Sequence, residues 1–441
     1  MSTFIEELRW RGRLAQITDE PGLAKHLAAP DPAGRRAYIG YDPTADSLTI
    51  GNMTTIMMLA HFQRAGHTPV VIAGGGTGMI GDPSGKSAER QLMTKELVAH
   101  NVESQMRIYS RLLDFAPDLS NQAHLLNNAD WLSKISFLDA LRDIGKYFSV
   151  NAMIQRDSVR DRLNNREQGI SYTEFSYMIL QAYDYLHLHD SLGVTLQMGG
   201  SDQWGNIVAG IDLIRRAHAG DGADAEAKAQ AHAFGLTTPL VTKADGTKFG
   251  KTESGAVWMT ADRTSPYALF QFWLNTEDGQ VMNYLKTFTF LPKARIEELE
   301  ASHLKEPGAR EAHRALAVAV TELLHGPTER TRAEAAAKAL FSGDIAGLSA
   351  AMLDEVFANV PSSGLAKARL EGEGIALIDL LVETNLAQSK REAKEFLQSG
   401  SVSINGRKAG LEDRARSTDL LHGRVLAIRR GKKNWHVSRL M

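Results

Sequence analysis

Three times in its first half the chain runs an apolar strand into a glycine-bearing turn and then toward a helix. The first junction is Tyr38–Asn52 (YIGYDPTADSLTIGN). The short strand Arg36–Tyr41 enters a polar turn, and from Gly51 to Gly66 the residues Ile56, Leu59, Ala60 and Phe62 recur at helical spacing. The second junction is Thr68–Gly76 (TPVVIAGGG); the third runs from the strand Val194–Met198 through Gly199 and Gly200 to Trp204. Strands alternating with helices in this way build a parallel sheet covered on both faces, with ligands outside the carboxyl ends of the strands. A helix N-terminus at such a junction presents free N–H groups and a positive dipole end, which suits phosphate. The plainer reading of the first junction is a capped helix start with Asp46 or Ser47 near the N-cap.

At 441 residues the chain is too long for one core, so two or three domains are expected. The absence of cysteine excludes disulfides, zinc–thiolate sites and thiol nucleophiles. No apolar run approaches a membrane span, and the N-terminus reads as a helix opened by the capping box Thr3-x-x-Glu6 rather than a signal peptide. A cytoplasmic protein with no membrane partner is the expectation. Net charge is −2 overall, yet from Leu365 onward 15 Lys and Arg stand against 9 Asp and Glu. The last part of the chain is therefore locally basic.

Between the junctions lie two loops rich in glycine and positive charge. Thr77–Arg90 (TGMIGDPSGKSAER) turns at Asp82-Pro83 and carries Lys86 and Arg90. It is not a P-loop, because only three residues separate Gly81 from Gly85 where that motif needs four. It reads either as a surface loop or as one that touches a polyphosphate. Lys243–Thr252 contains three lysines and two glycines; a solvated hairpin explains Asp245-Gly246 but not the lysines. The segments Thr94–Phe115 and Ser136–Phe148 have amphipathic helical patterns, and Asp221–Ala231 reads as an exposed low-complexity patch.

Tyr172–His189 has the composition of a buried helix, yet Tyr177, Gln181 and Asp184 fall at i, i+4 and i+7 on one face. Such groups are costly to bury unless they bond to something, so they either satisfy neighbouring backbone or line a polar pocket. His187 and His189 diverge on a helix and read as surface histidines. No metal site is expected.

From Ser265 to about Asn359 the pattern is helical throughout. VPSSGLAKARLEGEGI reads as a linker. Beyond it come two short helices, the second with Lys390, Arg391 and Lys394, then strands around an Asn405-Gly406 hairpin signal and the cluster Arg429, Arg430, Lys432 and Lys433. The expected division is a parallel-sheet α/β domain over 1–264, an α-helical domain over 265–359, a linker over 360–374 and a small basic α+β module over 375–441. A basic module of this kind suits structured RNA, where affinity comes chiefly from phosphates; a solvated basic edge is the alternative.

The stretches YIGYDPTADSL, GGGTGMIGDPSGK, EFSYMILQAYDY, GGSDQWGN, KADGTKFGKTESG and SKREAKEFLQSGSVSINGRK, in this order, resemble the bacterial tyrosyl-tRNA synthetases of aminoacyl-tRNA synthetase class I, essentially end to end. Lys248-Phe249-Gly250-Lys251-Thr252 is similar to the family's KMSKS signature. HIGH is matched only as Thr49-Ile50-Gly51-Asn52, with both histidines replaced. The resemblance implies a Rossmann-like catalytic domain that activates L-tyrosine with ATP and Mg2+, holds no tightly bound cofactor, charges the tyrosine tRNA and works as a homodimer.

It also implies residue roles. Tyr38 and Asp184 would read the substrate phenol. Asp82, Tyr177 and Gln181 would hold its ammonium, with Gln203 near the carboxylate. Asp42, Gly51, Asn52, Asp202, Lys251 and Thr252 would contact ATP. Thr44, Thr49, Asn52, Lys86, Arg90, Lys248 and Lys251 would serve the transferring phosphates. Lys390, Arg391, Lys394, Arg429, Arg430, Lys432 and Lys433 would meet RNA. Because the HIGH signature is altered, a rival reading is a catalytically weak paralogue that binds tRNA-like RNA. The retained Asp184, Gln181, Gln203, Lys248 and Lys251 speak against it, since an RNA-binding remnant needs none of them.

Overall fold

The computed structural model describes residues 3–31, 34–82, 93–156, 159–160, 163, 170–219, 231–242, 246, 249–252, 255–358, 360–431 and 434–441. They fall into two compact units, Met1–Thr264 with Thr276–Leu316, and Ser265–Asn275 with Ala317–Met441. The helical stretch 265–359 is thus shared between them, with Val281–Phe288 and Lys293–Lys305 in the first unit and Pro266–Leu274 and Ala350–Val356 in the second.

The first unit is built on a six-stranded sheet. Its strands are β1 (Gln16–Ile17), β2 (Arg36–Tyr41), β3 (Thr68–Ala73), β4 (His124–Asn127), β5 (Val194–Gly200) and β6 (Phe234–Thr238), in the spatial order β1-β6-β5-β2-β3-β4. All neighbours are parallel except β1, which runs antiparallel to β6. Every residue of β3 and β6 is buried, as expected for strands covered on both faces. The chain builds outward from β2 to β3 and β4, then returns to place β5 and β6 on the other side. The order therefore reverses between β2 and β5, and a crevice opens there beyond the carboxyl ends of the strands.

Helix α1 (Phe4–Trp10) has the expected capping box: Glu6 N–H donates to Thr3 Oγ1 at 3.3 Å and Thr3 N–H to Glu6 Oε2 at 2.7 Å. Helix α2 (Glu20–Ala28) follows. Helix α3 (Ile50–Arg64) buries Met53, Ile56, Leu59, Ala60 and Phe62, and its N-cap is Thr49, not Asp46 or Ser47. Asp46 pairs instead with Arg263, and the Ser47 hydroxyl accepts from Thr260 at 3.0 Å. Helix α4 (Lys95–Leu112) is capped by Thr94. Helix α5 (Tyr172–Leu192) packs Tyr185 and Leu188 with Tyr38, Val70 and Val194 of the sheet. Helix α6 (Trp204–His218) adds Ile214 to that cluster.

Ser136–Phe148 departs from the single regular helix its pattern suggests. A short α turn, Phe137–Asp139, passes into a π turn, Ala140–Ile144, where Gly145 N–H reaches back to the Ala140 carbonyl, and then into a 3-10 turn. Phe137, Leu138 and Leu141 are left exposed. Apart from Ala231, the low-complexity patch 221–231 lies outside the described residues.

In the second unit a five-stranded sheet has the order Arg407–Lys408, Val402–Ile404, Val425–Arg430, Asn434–Leu440, Ser362–Leu365. Asn405 and Gly406 both have positive φ, 49° and 88°, and join the first pair as a two-residue hairpin of type I′. A Cβ on Gly406 would stand 2.0 Å from the Gly343 carbonyl oxygen, so only glycine fits. Residues 362–365, read from composition as part of a linker, form an edge strand parallel to Asn434–Leu440. Leu365 and Leu370 are buried in the core of this unit, and two such anchors outweigh the glycines around them.

Candidate active site

The crevice between β2 and β5 is a cleft of about 470 Å³, within the range of small-molecule sites. Tyr38, Asp42, Thr44, Thr49, Gly51, Asn52, Asp82, Tyr177, Gln181, Asp184, Asp202 and Gln203 all line it. Residues expected to act together from four separate stretches of sequence are thus brought into one cavity. The helical face of Tyr177, Gln181 and Asp184 points into it and not at backbone.

At the floor, Asp184 is buried on α5. Its Oδ1 accepts from Trp131 Nε1 at 2.7 Å and its Oδ2 from Asn128 Nδ2 at 2.8 Å. Burial pushes its carboxyl up to about 7; the two donors offset part of that shift, and the charge of Asp42 adds to it. Tyr38, 1% exposed on β2, also lines the floor, and its hydroxyl is buried with no hydrogen-bond partner among the described residues. Burial, with the nearby Asp184 charge, holds its phenol well above the usual range, so it stays protonated. A buried hydroxyl without a partner costs about 1–3 kcal/mol, an arrangement that a ligand hydroxyl relieves.

A chain of hydrogen bonds leads upward from the floor. Asn128 Nδ2 donates also to Thr77 Oγ1 at 3.0 Å, and its Oδ1 accepts from Gly76 N–H at 2.7 Å. Thr77 donates to Asp42 Oδ1 at 2.8 Å, and Tyr177 to Asp42 Oδ2 at 3.0 Å. A Cβ on Gly74 would stand 2.3 Å from Asp42 Oδ1, so the glycine at the end of β3 is required for this approach. On the other wall Gln203 Nε2 donates to Asp82 Oδ2 at 2.7 Å, and Asn206 Nδ2 donates to Gln181 Oε1 at 2.9 Å. Carboxylates and amides therefore alternate around the cavity, each held by a neighbour before any ligand arrives.

The start of α3 forms another edge of the cleft, where Thr49, Gly51 and Asn52 line it. Thr49 donates from both its N–H, at 3.1 Å, and its hydroxyl, at 2.8 Å, to Asn52 Oδ1. The Thr49 proton is thus directed to Asn52, and the Asn52 amide nitrogen turns away from Thr49. The two altered signatures also meet here. Ile50 N–H donates to Val257 O at 3.0 Å, Val257 N–H donates to Gly250 O at 2.8 Å, and a Cβ on Gly250 would come within 3.4 Å of Gly51 N. Phe249 anchors this loop, stacked on Phe288 at 5.2 Å between ring centroids. Lys86, Arg90 and Lys248 lie outside the described residues; of Lys251 and Thr252 only the backbone is described, as a short strand paired with Gly255–Ala256.

Several site residues escaped the sequence reading. Asn128 and Trp131 follow β4, a fourth strand–helix junction whose strand is only half-buried and carries no glycine. Asn101 and Gln105, buried on α4, hold the turn after β2 by donating to Pro43 O and Ala45 O, each at 2.8 Å. Buried polar residues at i and i+4 were the available signal.

In the second unit, Lys390 pairs with Asp379 at 2.7 Å and Arg391 with Glu395 at 3.3 Å, all on the surface. Arg429 behaves otherwise: it is buried, donates to Phe341 O at 3.3 Å and lies over the Trp435 ring. Arg430 donates to Leu386 O at 2.6 Å and lies over Phe396. Both guanidinium groups are committed to the fold. Lys432 and Lys433 lie outside the described residues.

Comparison with known proteins agrees with this fold. The family model for tRNA synthetases class I (W and Y) matches residues 33–342, and that for the tyrosine--tRNA ligase SYY-like C-terminal domain matches residues 353–438. A tyrosine--tRNA ligase of Roseiflexus castenholzii is 48% identical over 442 residues, covering all of both chains. One of Geobacillus stearothermophilus is 47% identical and covers 99% of each. Among solved structures, a C-terminally truncated mitochondrial tyrosyl-tRNA synthetase of Aspergillus nidulans superposes with a TM-score of 0.68 at 30% identity, covering 77% of this chain and 95% of that one. Matched along its whole length by such relatives, the chain belongs to the tyrosyl-tRNA synthetases, within class I of the aminoacyl-tRNA synthetases.

Proposed function

We propose that the cleft activates L-tyrosine with ATP by positioning and charge alone, with no protein nucleophile. A tyrosine carboxylate oxygen attacks the α-phosphorus in line, a P–O bond forms, the bond to the β-phosphate breaks and pyrophosphate leaves. In the second step a hydroxyl of the terminal ribose of the tRNA attacks the tyrosyl carbonyl carbon and AMP leaves. ATP enters as its Mg2+ complex. The phenol of the substrate sits between Tyr38 and Asp184. Its ammonium faces Asp82, Tyr177 and Gln181, and its carboxylate lies near Gln203. Asp42, Gly51 and Asp202 face the nucleoside. Thr44, Asn52, Lys86, Arg90, Lys248 and Lys251 meet the phosphates, where charge accumulates in the transition state. The observation that carries this reading is the buried Tyr38 hydroxyl, near Asp184 at the floor and without a hydrogen-bond partner among the described residues.

Tyr38→Phe tests it. Losing one neutral hydrogen bond of about 0.5–1.5 kcal/mol should raise the KM for tyrosine about 2- to 10-fold and leave that for ATP unchanged. An unchanged tyrosine KM removes Tyr38 from the site.

Homodimerisation belongs to the same proposal. Phe137, Leu138, Leu141, Val150, Ile154 and Tyr172 are exposed within one stretch of the first unit, Leu138 by 76%. Apolar groups concentrated in this way mark an interaction surface. Leu138→Glu should shift the protein from dimer to monomer in light scattering; a parental mass would move the interface elsewhere.

The basic module is assigned to tRNA through Lys390, Arg391 and Lys394; the exposed ion pairs of Lys390 and Arg391 are weak enough to exchange for phosphates. The triple change to glutamate should leave pyrophosphate exchange intact and flatten the salt dependence of tRNA affinity by about 2–3 units of log–log slope. An unaltered slope would make the module a bystander. We place the reaction in the cytoplasm; among the described residues no helix is long and apolar enough to cross a membrane.

A further inference from the structure

The last turns of α5 and α6 bring together His189, Asp190 and His218. His189 Nδ1 lies 2.9 Å and His218 Nε2 2.8 Å from the same oxygen, Asp190 Oδ1. The ligand atoms of the three residues all fall within 4.8 Å of one another. The imidazoles face each other with ring centroids 5.5 Å apart. We propose that this triad is a binding site for a divalent transition metal of the zinc class, outside the cleft and distinct from the Mg2+ that accompanies ATP.

The donor set selects the metal. Two imidazole nitrogens with one carboxylate oxygen suit zinc, nickel or copper, whereas magnesium and calcium prefer oxygen alone. Zinc holds nitrogen and carboxylate oxygen at about 2.0–2.2 Å, which in a tetrahedron sets the donors about 3.3 Å apart. The two nitrogen–oxygen separations therefore need to open by roughly half an ångström, a side-chain rotation. The remaining position falls to water.

With both imidazoles neutral, each ring nitrogen that donates to Asp190 carries the ring's proton. On binding, that proton leaves to solvent, the other nitrogen of the same ring takes one up, and the freed lone pair binds the ion. Both helices end here, and the negative ends of two helix dipoles favour a cation. The nearby arginines are engaged elsewhere, Arg215 with Asp212 at 3.3 Å and Arg216 with Tyr147 O at 2.7 Å. His187, the histidine two residues before His189, instead stacks on Trp131 at 4.5 Å. An ion at the triad would clamp together the two helices that carry Gln181 and its partner Asn206.

The test uses the full chain, stripped with EDTA and titrated calorimetrically with Zn2+. One ion per chain should bind and raise the Tm, and EDTA should reverse the rise. Co2+ in its place should give the intense visible absorption of a four-coordinate site. His189→Gln and His218→Gln should each weaken Zn2+ binding by at least the ~100-fold that loss of a merely supporting residue can cost. Asp190→Asn, which keeps the shape of the side chain, should weaken it too, and His187→Gln should not. Absence of saturable one-to-one binding by the parent overturns the proposal. So does parental affinity in the folded His189 and His218 variants, which would reduce the binding to scattered surface histidines.

Discussion

An Asp184→Ala enzyme should lose tyrosine activation almost entirely and with it the preference for tyrosine over phenylalanine. Asp184 is the buried carboxyl at the floor, oriented by Trp131 and Asn128. A ring without a hydroxyl would leave the Tyr38 hydroxyl without a partner among the described residues and would bring no donor to Asp184, whose only bonds would then be those from Trp131 and Asn128. Discrimination of roughly 10⁵ is the scale known for this enzyme family. In the variant the ratio of kcat/KM for the two amino acids should collapse by several orders of magnitude, chiefly through tyrosine. Unchanged selectivity in a folded Asp184→Ala protein would take Asp184 out of the site.

The same carboxyl links stability to pH. Its folded value of about 7 lies above the unfolded one, so between about pH 4 and 7 the native state holds the extra proton. Its contribution to stability is therefore greatest at low pH and falls as the pH rises toward 7. Asp184→Asn removes this component, although the amide leaves one of the two donors without an acceptor. Thermal melts across that window should show a flatter profile for Asp184→Asn than for the parent.

The second large effect is expected at the start of α3. Asn52→Ala should slow tyrosyl-adenylate formation by about 10²–10³ in single turnover, the usual loss for one transition-state donor. The ATP dissociation constant should change little, because the bond matters as charge develops. Thr49 stands where the family signature has histidine, and its hydroxyl donates to Asn52 Oδ1 rather than toward the cleft. On the proposed reading it positions Asn52 and does not itself touch the phosphates. Thr49→Ala should therefore cost less than Asn52→Ala, and Thr49→Ser should restore the parental rate. Equal damage from the two alanine changes would mean that Thr49 touches the phosphates itself.

Much of the sheet was legible because β3 is a nearly continuous apolar run leading into glycines and β5 ends in Gly199 and Gly200. The face of α5 was legible because Tyr177, Gln181 and Asp184 are too polar to be buried for packing alone. Other parts were hidden for physical reasons. Asn128 follows a half-buried strand, and its side chain bonds to three partners far from it in the chain, Gly76, Thr77 and Asp184, which no local pattern reveals. Arg429 and Arg430 add to the charge count, but only packing shows that their guanidinium groups turn inward onto carbonyls and rings. Residues 362–365 look like a linker because their strand is short and its partner lies some seventy residues further on.

The most direct test of the cleft as the tyrosine-activating centre is exchange of labelled pyrophosphate into ATP by the purified full-length protein without tRNA. Exchange should depend on tyrosine, fail to respond to phenylalanine at equal concentration and vanish in Asp184→Ala. Exchange that ignores tyrosine, or that survives in Asp184→Ala at the parental rate, would contradict it.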